Sequence, residues 1–173
     1  THRTRYPSSS EKTIIGAIYN RMGIDVASID IRHVRLDKND RYVETIRSDL
    51  NNCLTLEANI DQDARAFKQD AAQTMFERGT LALVPIDTTL SPLTTGGFDI
   101  QTLRVGEIVA WYPRHVRVSV YDDREKIGGN RKELTLPKSM VAIIENPFYS
   151  VMNEPNSTLQ RLIRKLHLLD IVD

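Results

Sequence analysis

The sequence has little cysteine, little tryptophan and no excess of charge of either sign. Among its 173 residues there is one cysteine, Cys53, which excludes an internal disulfide and any zinc site that needs several cysteines. Lysine and arginine number 23, as do aspartate and glutamate, so no overall field attracts nucleic acid or an anionic membrane. No apolar run is long enough to cross a bilayer, and no secretory signal pattern opens the sequence. We therefore expect a soluble protein with no membrane partner, in which Cys53 is a small buried apolar residue.

Sequence patterns that carry catalytic or cofactor chemistry are also missing. Neither glycine-rich phosphate-binding pattern occurs, and no serine stands in a G-x-S-x-G segment. The four histidines lie far apart, and none has a second histidine or cysteine at metal-binding spacing. The neighbouring carboxylates Asp61 and Asp63 are interpreted as residues that begin a helix, and Asp122 and Asp123 as turn residues. We predict no enzyme activity, no cofactor and no metal site.

Hydrophobic periodicity predicts helices in the first half of the chain. A first helix is expected to reach Ala27, with one face marked by Ile14, Ile15, Ile18, Tyr19 and Met22. The segment "DQDARAFKQDAAQTMFERG" at 61–79 is the clearest internal helix, because acidic residues begin it and Gly79 ends it. A short helical turn is predicted around 50–54.

Strands are predicted mainly in the second half. One earlier strand is expected in "SIDIRHVRLDKND", where Ile29 and Ile31 precede Val34 and Leu36 and the change of phase indicates a bulge. Later strands are expected in "TLALVPID", "FDIQTLRVGEIVAWYP", "RKELTLP" and "MVAIIEN", and in a run that alternates Val116, Val118 and Val120 with polar residues. This order predicts an α+β fold with helices first, a mainly antiparallel sheet second and an amphipathic C-terminal helix. Residues 1–156 would form the α+β domain and residues 157–173 the final helix.

That final helix is strongly specified by "ENPFYSVMNEPNSTLQRLIRKLHLLD" at 145–170. Ser157 and Gln160 have the spacing of a capping box. One apolar face consists of Leu159, Leu162, Ile163, Leu166 and Leu169. Three basic residues lie away from this face: Arg161, Arg164 and Lys165.

The apolar face of this helix needs a cover. We interpret both ends of the chain as cuts within a longer protein, so the cover is expected in the missing chain or in a neighbouring subunit. The basic residues are candidates for facing a channel or a partner, although such a cluster is usually the solvated side of a helix.

The stretch "WYPRHVRVSVYD" at 111–122 admits two interpretations. Its aromatic residues Trp111 and Tyr112 stand beside Arg114 and Arg117, a combination that can stack on bases and neutralise phosphates. Alternatively, Trp111 packs in the core while the arginines lie on the wet face of an antiparallel sheet. The clean alternation of valines favours the second interpretation.

Several long stretches resemble the portal proteins of tailed bacteriophages, in the large family typical of long-tailed phages and of prophages in Gram-positive bacteria. In chain order they are "MGIDVASIDIRHVRLD", "LNNCLTLEANID", "AFKQDAAQTMFERGTLALVPID", "VAWYPRHVRVSVYD" and "MVAIIENPFYSVMNEPNSTLQRLIRKLHLLD". They are collinear and run from about Ile14 to Asp170, which makes them more specific than any short motif.

The resemblance implies a structural protein without catalytic residues. Portal proteins form a ring of identical subunits, usually twelve, at one vertex of the phage head. Terminase pumps double-stranded DNA through the ring without regard to sequence, and the tail or connector docks on it. The implied location is the virion, and the cytoplasm of the bacterial host during assembly. Residues 1–156 would be most of the wing and 157–173 the start of the first stem helix, whereas the clip, second stem helix, channel loop and crown are absent.

Two other functions fit the residues taken alone. One is a cellular α+β adaptor that binds a partner through its C-terminal amphipathic helix. The other is a nucleic-acid-binding module that uses Trp111, Tyr112, Arg114 and Arg117.

Overall fold

The fold, a computed structural model, is described for residues 14–86, 100–121 and 131–150. From the amino end it contains helix α1 (Ile14–Ala27), strands β1 (Val34–Leu36) and β2 (Tyr42–Thr45), helix α2 (Asp49–Thr55), strands β3 (Glu57–Asn59) and β4 (Gln62–Asp63), and helix α3 (Ala64–Arg78). Strands β5 (Thr80–Pro85), β6 (Leu103–Trp111), β7 (His115–Tyr121) and β8 (Arg131–Pro137) follow, then a 3-10 helix (Lys138–Met140) and strand β9 (Ala142–Glu145). The predicted mixture of helices with a later sheet is confirmed. The helix predicted at 157–173 lies outside the described residues.

The helices begin and end at residues that satisfy their free backbone groups. The Ser48 hydroxyl accepts a hydrogen bond from the backbone N–H of Asn51 and so caps α2. The Asp63 carboxylate accepts from the N–H of Ala66, 2.7 Å away, and caps α3. At the other end of α3, Gly79 adopts a left-handed conformation with φ of 78°. The predicted end of this helix is therefore confirmed. Its start differs from the prediction in part, because Asp63 caps the helix whereas Asp61 lies in the turn between β3 and β4.

Five strands form one antiparallel sheet in the order β8-β7-β6-β5-β9. Antiparallel pairing places β6 between β5 and β7, and β9 pairs with β5 at the opposite edge from β8. The register between β6 and β7 shifts between Ile108 and Ala110, so that Trp111 stands opposite Val116. This shift determines which side chains meet at the end of β6.

Helices α2 and α3 cover one face of the sheet. Phe67 of α3 and Cys53 of α2 are buried with Leu81 of β5 and Val105 of β6. Burial of a side chain as large as Phe67 contributes about 1.5 to 3 kcal/mol. The interpretation of Cys53 as a small buried residue is confirmed.

The opposite strand positions form a second apolar cluster. Because successive residues of a strand point to opposite faces, Val84 lies on the opposite face from Leu81 and packs with Val116, Val118 and Val120. All four valines are almost completely buried, whereas the intervening Arg117 is exposed. The predicted alternation in β7 is confirmed.

The packing of α1 differs in part from the prediction. Ile18, expected on the apolar face, is 40% exposed, while Gly23 and Ala27 are buried. The reason is a close approach of α1 to α3: a methyl group on Gly23 would lie 2.8 Å from Cγ of Gln73. A glycine brings two helix backbones together and leaves no room between them for a large side chain. Tyr19 still packs on α3.

The early strand also begins later than predicted. Strand β1 contains Val34 and Leu36, but Ile29 and Ile31 precede it and are exposed. The bulge was predicted between Ile31 and Val34, which is outside the paired strand; the register with β2 shifts instead between Arg35 and Leu36. Ile29 instead ends the turn that closes α1, where its N–H donates to the carbonyl oxygen of Val26. Backbone groups that hydrogen-bond within this turn cannot also pair with a neighbouring strand.

Candidate functional site

The predicted site on the C-terminal helix lies outside the described residues. This applies to the apolar face (Leu159, Leu162, Ile163, Leu166 and Leu169) and to the basic residues (Arg161, Arg164 and Lys165). The described residues end at Ser150 and include the segment just before the predicted helix. Three features of the described residues bear on function.

The first feature is the anchoring of residues 146–150 on the end of α3. The N–H of Asn146 donates to the carbonyl oxygen of Gly79 at 2.8 Å. The Tyr149 ring packs against Gly79, and this contact has room only because glycine carries a hydrogen atom in place of a side chain. The Tyr149 hydroxyl donates to the carbonyl oxygen of Glu77 at 3.5 Å. Gly79 thus both ends α3 and receives the chain that returns from β9.

Tyr19 of α1 belongs to the same junction. Its ring stacks on Phe76 of α3 with ring centroids 6.4 Å apart. Burial raises the pKa of the Tyr19 hydroxyl, and the nearby Tyr149 and Glu77 raise it further. The first helix, the end of α3 and the segment 146–150 therefore meet at one place.

The second feature is a two-stranded hairpin with an apolar surface. Among the described strands, β1 and β2 pair only with each other. Hydrogen bonds tie the base of the hairpin to α2, where His33 bonds the side chains of Ser48 and Asn51. Three large apolar side chains of the hairpin are exposed, and so is Ile31 just before β1; the four residues are Ile31, Leu36, Tyr42 and Val43. We call these four residues the apolar hairpin surface.

The third feature is a group of aromatic and basic residues at the end of the sheet where β6 turns into β7. We call Trp111, Tyr112, Arg114, Arg117 and Lys138 the aromatic–basic cluster. The turn is closed by the N–H of Tyr112, which donates to the carbonyl oxygen of His115 at 2.9 Å. The N–H of Lys138 donates to the carbonyl oxygen of Arg114 at 3.0 Å and attaches the 3-10 helix to the turn.

Cations lie close to both aromatic rings of the cluster. Nζ of Lys138 lies 5.6 Å from the centre of the Trp111 ring, and Cζ of Arg117 lies 5.9 Å from the centre of the Tyr112 ring. Both distances fall within the range of cation–π attraction. The two cations are therefore held at defined positions beside the rings.

The expected burial of Trp111 is wrong. Its side chain is 50% exposed and that of Tyr112 is 38% exposed, although Val116, directly opposite Trp111, is fully buried. Trp111 is the last residue of β6, so part of the large ring extends past the core that covers Val116. The other half of that interpretation holds, because Arg114 and Arg117 are exposed.

The cluster carries positive charge that described carboxylates do not neutralise. Within 14–86, 100–121 and 131–150, Arg114, Arg117 and Lys138 form no ion pair. Elsewhere in the sheet, Arg104 pairs with Asp61 at 2.8 Å and Arg131 pairs with Glu107 at 3.8 Å. The cluster is therefore a local basic surface on a chain whose total charge is balanced.

A buried ion pair was missed by the sequence analysis. Arg104 donates to the Asp61 carboxylate at 2.8 Å, and their side chains are 10% and 17% exposed. The arginine also lies 5.9 Å from the centre of the Tyr121 ring. Its only sequence signal is a charged residue inside an apolar strand. The pair attaches the turn between β3 and β4 to the sheet.

Cys53 is enclosed by backbone groups. Its thiol donates to the carbonyl oxygen of Gln101 at 3.3 Å, and burial raises its pKa, with a smaller contribution from Asp49. A thiol that is buried and harder to ionise is a poor nucleophile.

In the part of the chain that the structure describes, no group of three histidine, cysteine, aspartate or glutamate residues is placed to hold a metal ion. No described helix is long and apolar enough to cross a membrane. No protein-family model matches the chain, and no curated protein matches its sequence.

Proposed function

We propose that this chain is the wing region of a portal-ring subunit from a tailed bacteriophage or prophage. In this proposal the protein is structural and has no catalytic residues. Identical subunits, twelve in the usual ring, surround a channel for double-stranded DNA at one vertex of the head, and terminase and the tail or connector dock on the ring. The location is the virion and, during assembly, the cytoplasm of the bacterial host.

The observation that carries the proposal is the apolar hairpin surface. A two-stranded hairpin is marginally stable on its own, and four exposed apolar side chains on and just before this hairpin are a surface that water does not favour. A ring of identical subunits places every copy of this surface against a neighbour. We therefore assign it to the contact with a second copy of the protein.

The anchored segment 146–150 supports the same proposal. A subunit that passes force or position from its wing to a following helix needs the connection to start from a fixed point. The bond from Asn146 to Gly79 and the contact of Tyr149 with Gly79 supply such a point immediately before the proposed stem helix. In that helix, the stripe from Leu159 to Leu169 would face the neighbouring subunit.

The direct test is electron microscopy of the full-length protein together with its mass in solution. Symmetric rings with an open centre are the expected result. Uniform monomers at high concentration would contradict the proposal and favour the adaptor that binds a partner through its C-terminal helix.

The assigned contact can be tested separately with one double variant and one control variant. Tyr42→Ser with Val43→Ser removes apolar area from the hairpin, where these side chains are 63% and 53% exposed. Loss of about 1 to 2 kcal/mol of burial for each side chain should weaken association at least tenfold. The matched control is Ile60→Ser, which removes an equally apolar and more exposed side chain from the turn between β3 and β4. If both changes leave the rings intact, the hairpin is not the contact, whatever the ring itself does.

A further inference from the structure

We propose that the aromatic–basic cluster at the turn between β6 and β7 binds single-stranded nucleic acid. The cluster is separate from the apolar hairpin surface, and its assignment does not depend on the portal proposal. It would stack a base on Trp111 beside Lys138, and a strand that continues over the end of the hairpin would bind phosphates with Arg114 and with Arg117, which lies on the other face of the sheet.

The charge of the cluster fits a polyanion. Three cationic side chains stand in the turn, in β7 and in the 3-10 helix attached to the turn, and no described carboxylate pairs with them. Paired arginines such as Arg104 stabilise the fold by neutralising a partner. Cations that lack such a partner are free to neutralise phosphates, and each phosphate contact releases a condensed counterion.

The exposed rings favour a single strand over a duplex. Trp111 is half exposed, and Tyr112 beside it is also exposed. In a duplex the faces of the bases are already stacked on each other, so an aromatic side chain outside the helix gains no stacking there. In a single strand every base has a free face, and stacking on tryptophan or tyrosine adds to the attraction of the phosphates.

The cluster is also held in place before any ligand binds. Trp111 is opposite the buried Val116 at the end of the sheet, and backbone hydrogen bonds close the turn and attach Lys138 to it. Lys138 and Arg117 rest near the aromatic rings at 5.6 and 5.9 Å from the ring centres. Side chains that are already ordered lose less conformational entropy on binding.

An acidic peptide would satisfy the cations but would not use the rings. Carboxylate side chains offer charge without flat aromatic faces, so the exposed area of Trp111 would contribute nothing specific. The presence of both features in one cluster is what favours nucleic acid.

Trp111 is the only tryptophan of the chain, so its fluorescence reports on this site alone. The probe is a thymidine oligonucleotide of about 12 nucleotides, which suits a small single-strand site. Binding is measured by quenching of tryptophan fluorescence and, independently, by anisotropy of a labelled oligonucleotide. We expect saturable quenching by the single strand, and little or none by the matching duplex or by polyglutamate.

Variants separate the two contributions. Trp111→Leu keeps an apolar side chain at the end of β6 and should weaken binding about 5- to 100-fold, whereas Trp111→Phe should retain most of it. The double variant Arg114→Gln with Arg117→Gln should lower the slope of log affinity against log salt by about 1.4, since each contact to a single strand contributes about 0.7. The charge-matched control is Arg21→Gln with Arg35→Gln, which removes two exposed arginines elsewhere and should leave affinity within about twofold.

Circular dichroism and thermal unfolding establish that each variant is folded before binding is measured. Equal binding of duplex and single strand would overturn the proposal, as would equal quenching by polyglutamate. An unchanged affinity in both Trp111→Leu and the Arg114 and Arg117 double variant would also overturn it. Rings of full-length protein could still form in each of these cases, so the portal proposal would be judged separately.

Discussion

Replacement of Gly79 by alanine is expected to destabilise the protein by about 2 to 5 kcal/mol. Two costs add at this position. A residue with a Cβ in the left-handed region, where Gly79 has φ of 78°, costs about 1 to 2 kcal/mol. The new methyl carbon would also lie 2.6, 2.7 and 2.9 Å from three ring carbons of Tyr149, well inside the optimal carbon–carbon separation. The ring must move, and overpacking of this kind costs about 1 to 3 kcal/mol.

The two costs can be separated by a double-mutant cycle. In a Tyr149→Ala background the steric conflict is absent, so Gly79→Ala should cost only about 1 to 2 kcal/mol. Tyr149→Phe is the matched control, because it keeps the ring and should preserve the full cost of the glycine change. Free energies of unfolding are measured by urea titration followed by circular dichroism, with an unchanged slope as the test that the transition is two-state.

Two results would refute this reasoning. A cost of Gly79→Ala that is the same with and without the Tyr149 ring would mean that residues 146–150 are not anchored there. A cost below about 0.5 kcal/mol in wild type would mean that neither the backbone conformation nor the contact is as described.

Three further predictions concern the two cores and the ion pair. Gly106→Ala places a methyl carbon 3.0 Å from Cγ2 of Val84 and should lower the free energy of unfolding in urea by about 1 to 3 kcal/mol. Val84→Ala in the same chain should recover part of the loss. A neutral effect of Gly106→Ala alone would contradict the tight packing. Arg104→Met should lower the free energy of unfolding by about 3 kcal/mol, because it leaves the Asp61 carboxylate unpaired. Asp61→Asn in the same chain should recover part of this loss. No recovery would mean that the loss comes from packing alone. Burial raises the pKa of the Cys53 thiol in the folded state. The contribution of the thiol to stability is therefore complete below the ordinary thiol pKa and is lost as pH rises through the folded value. The wild type should lose stability at alkaline pH relative to Cys53→Ala, and parallel pH profiles of the two proteins would contradict this.

Most helix and strand positions could be predicted from the sequence because their signals are local. Helix α3 is specified by Asp63, whose carboxylate reaches an N–H three residues later, and by Gly79, whose missing side chain permits the turn that ends it. The valines of β7 alternate because a strand places every second residue on the same face. These signals act within a few residues, so no knowledge of the tertiary fold is needed to recognise them.

The candidate sites could be predicted only in part. Trp111 and the basic residues beside it were found from the sequence, but the expectation that Trp111 packs in the core was wrong. Its exposure depends on the register shift in β6 and on how far the core extends along β7. Lys138 joined the cluster only through the fold, since it is far from Trp111 in sequence and reaches it through β8.

By itself, the sequence determined the cap and the end of α3, the alternation of β7, the buried character of Cys53 and a resemblance that leads to the portal proposal. Only the tertiary structure decided that Gly23 rather than Ile18 faces α3, that Arg104 pairs with Asp61, and that Tyr149 closes over Gly79. The physical reason is the distance along the chain between the groups concerned. Caps and periodicity follow from neighbouring residues, whereas burial, pairing and exposure depend on segments that meet only after folding.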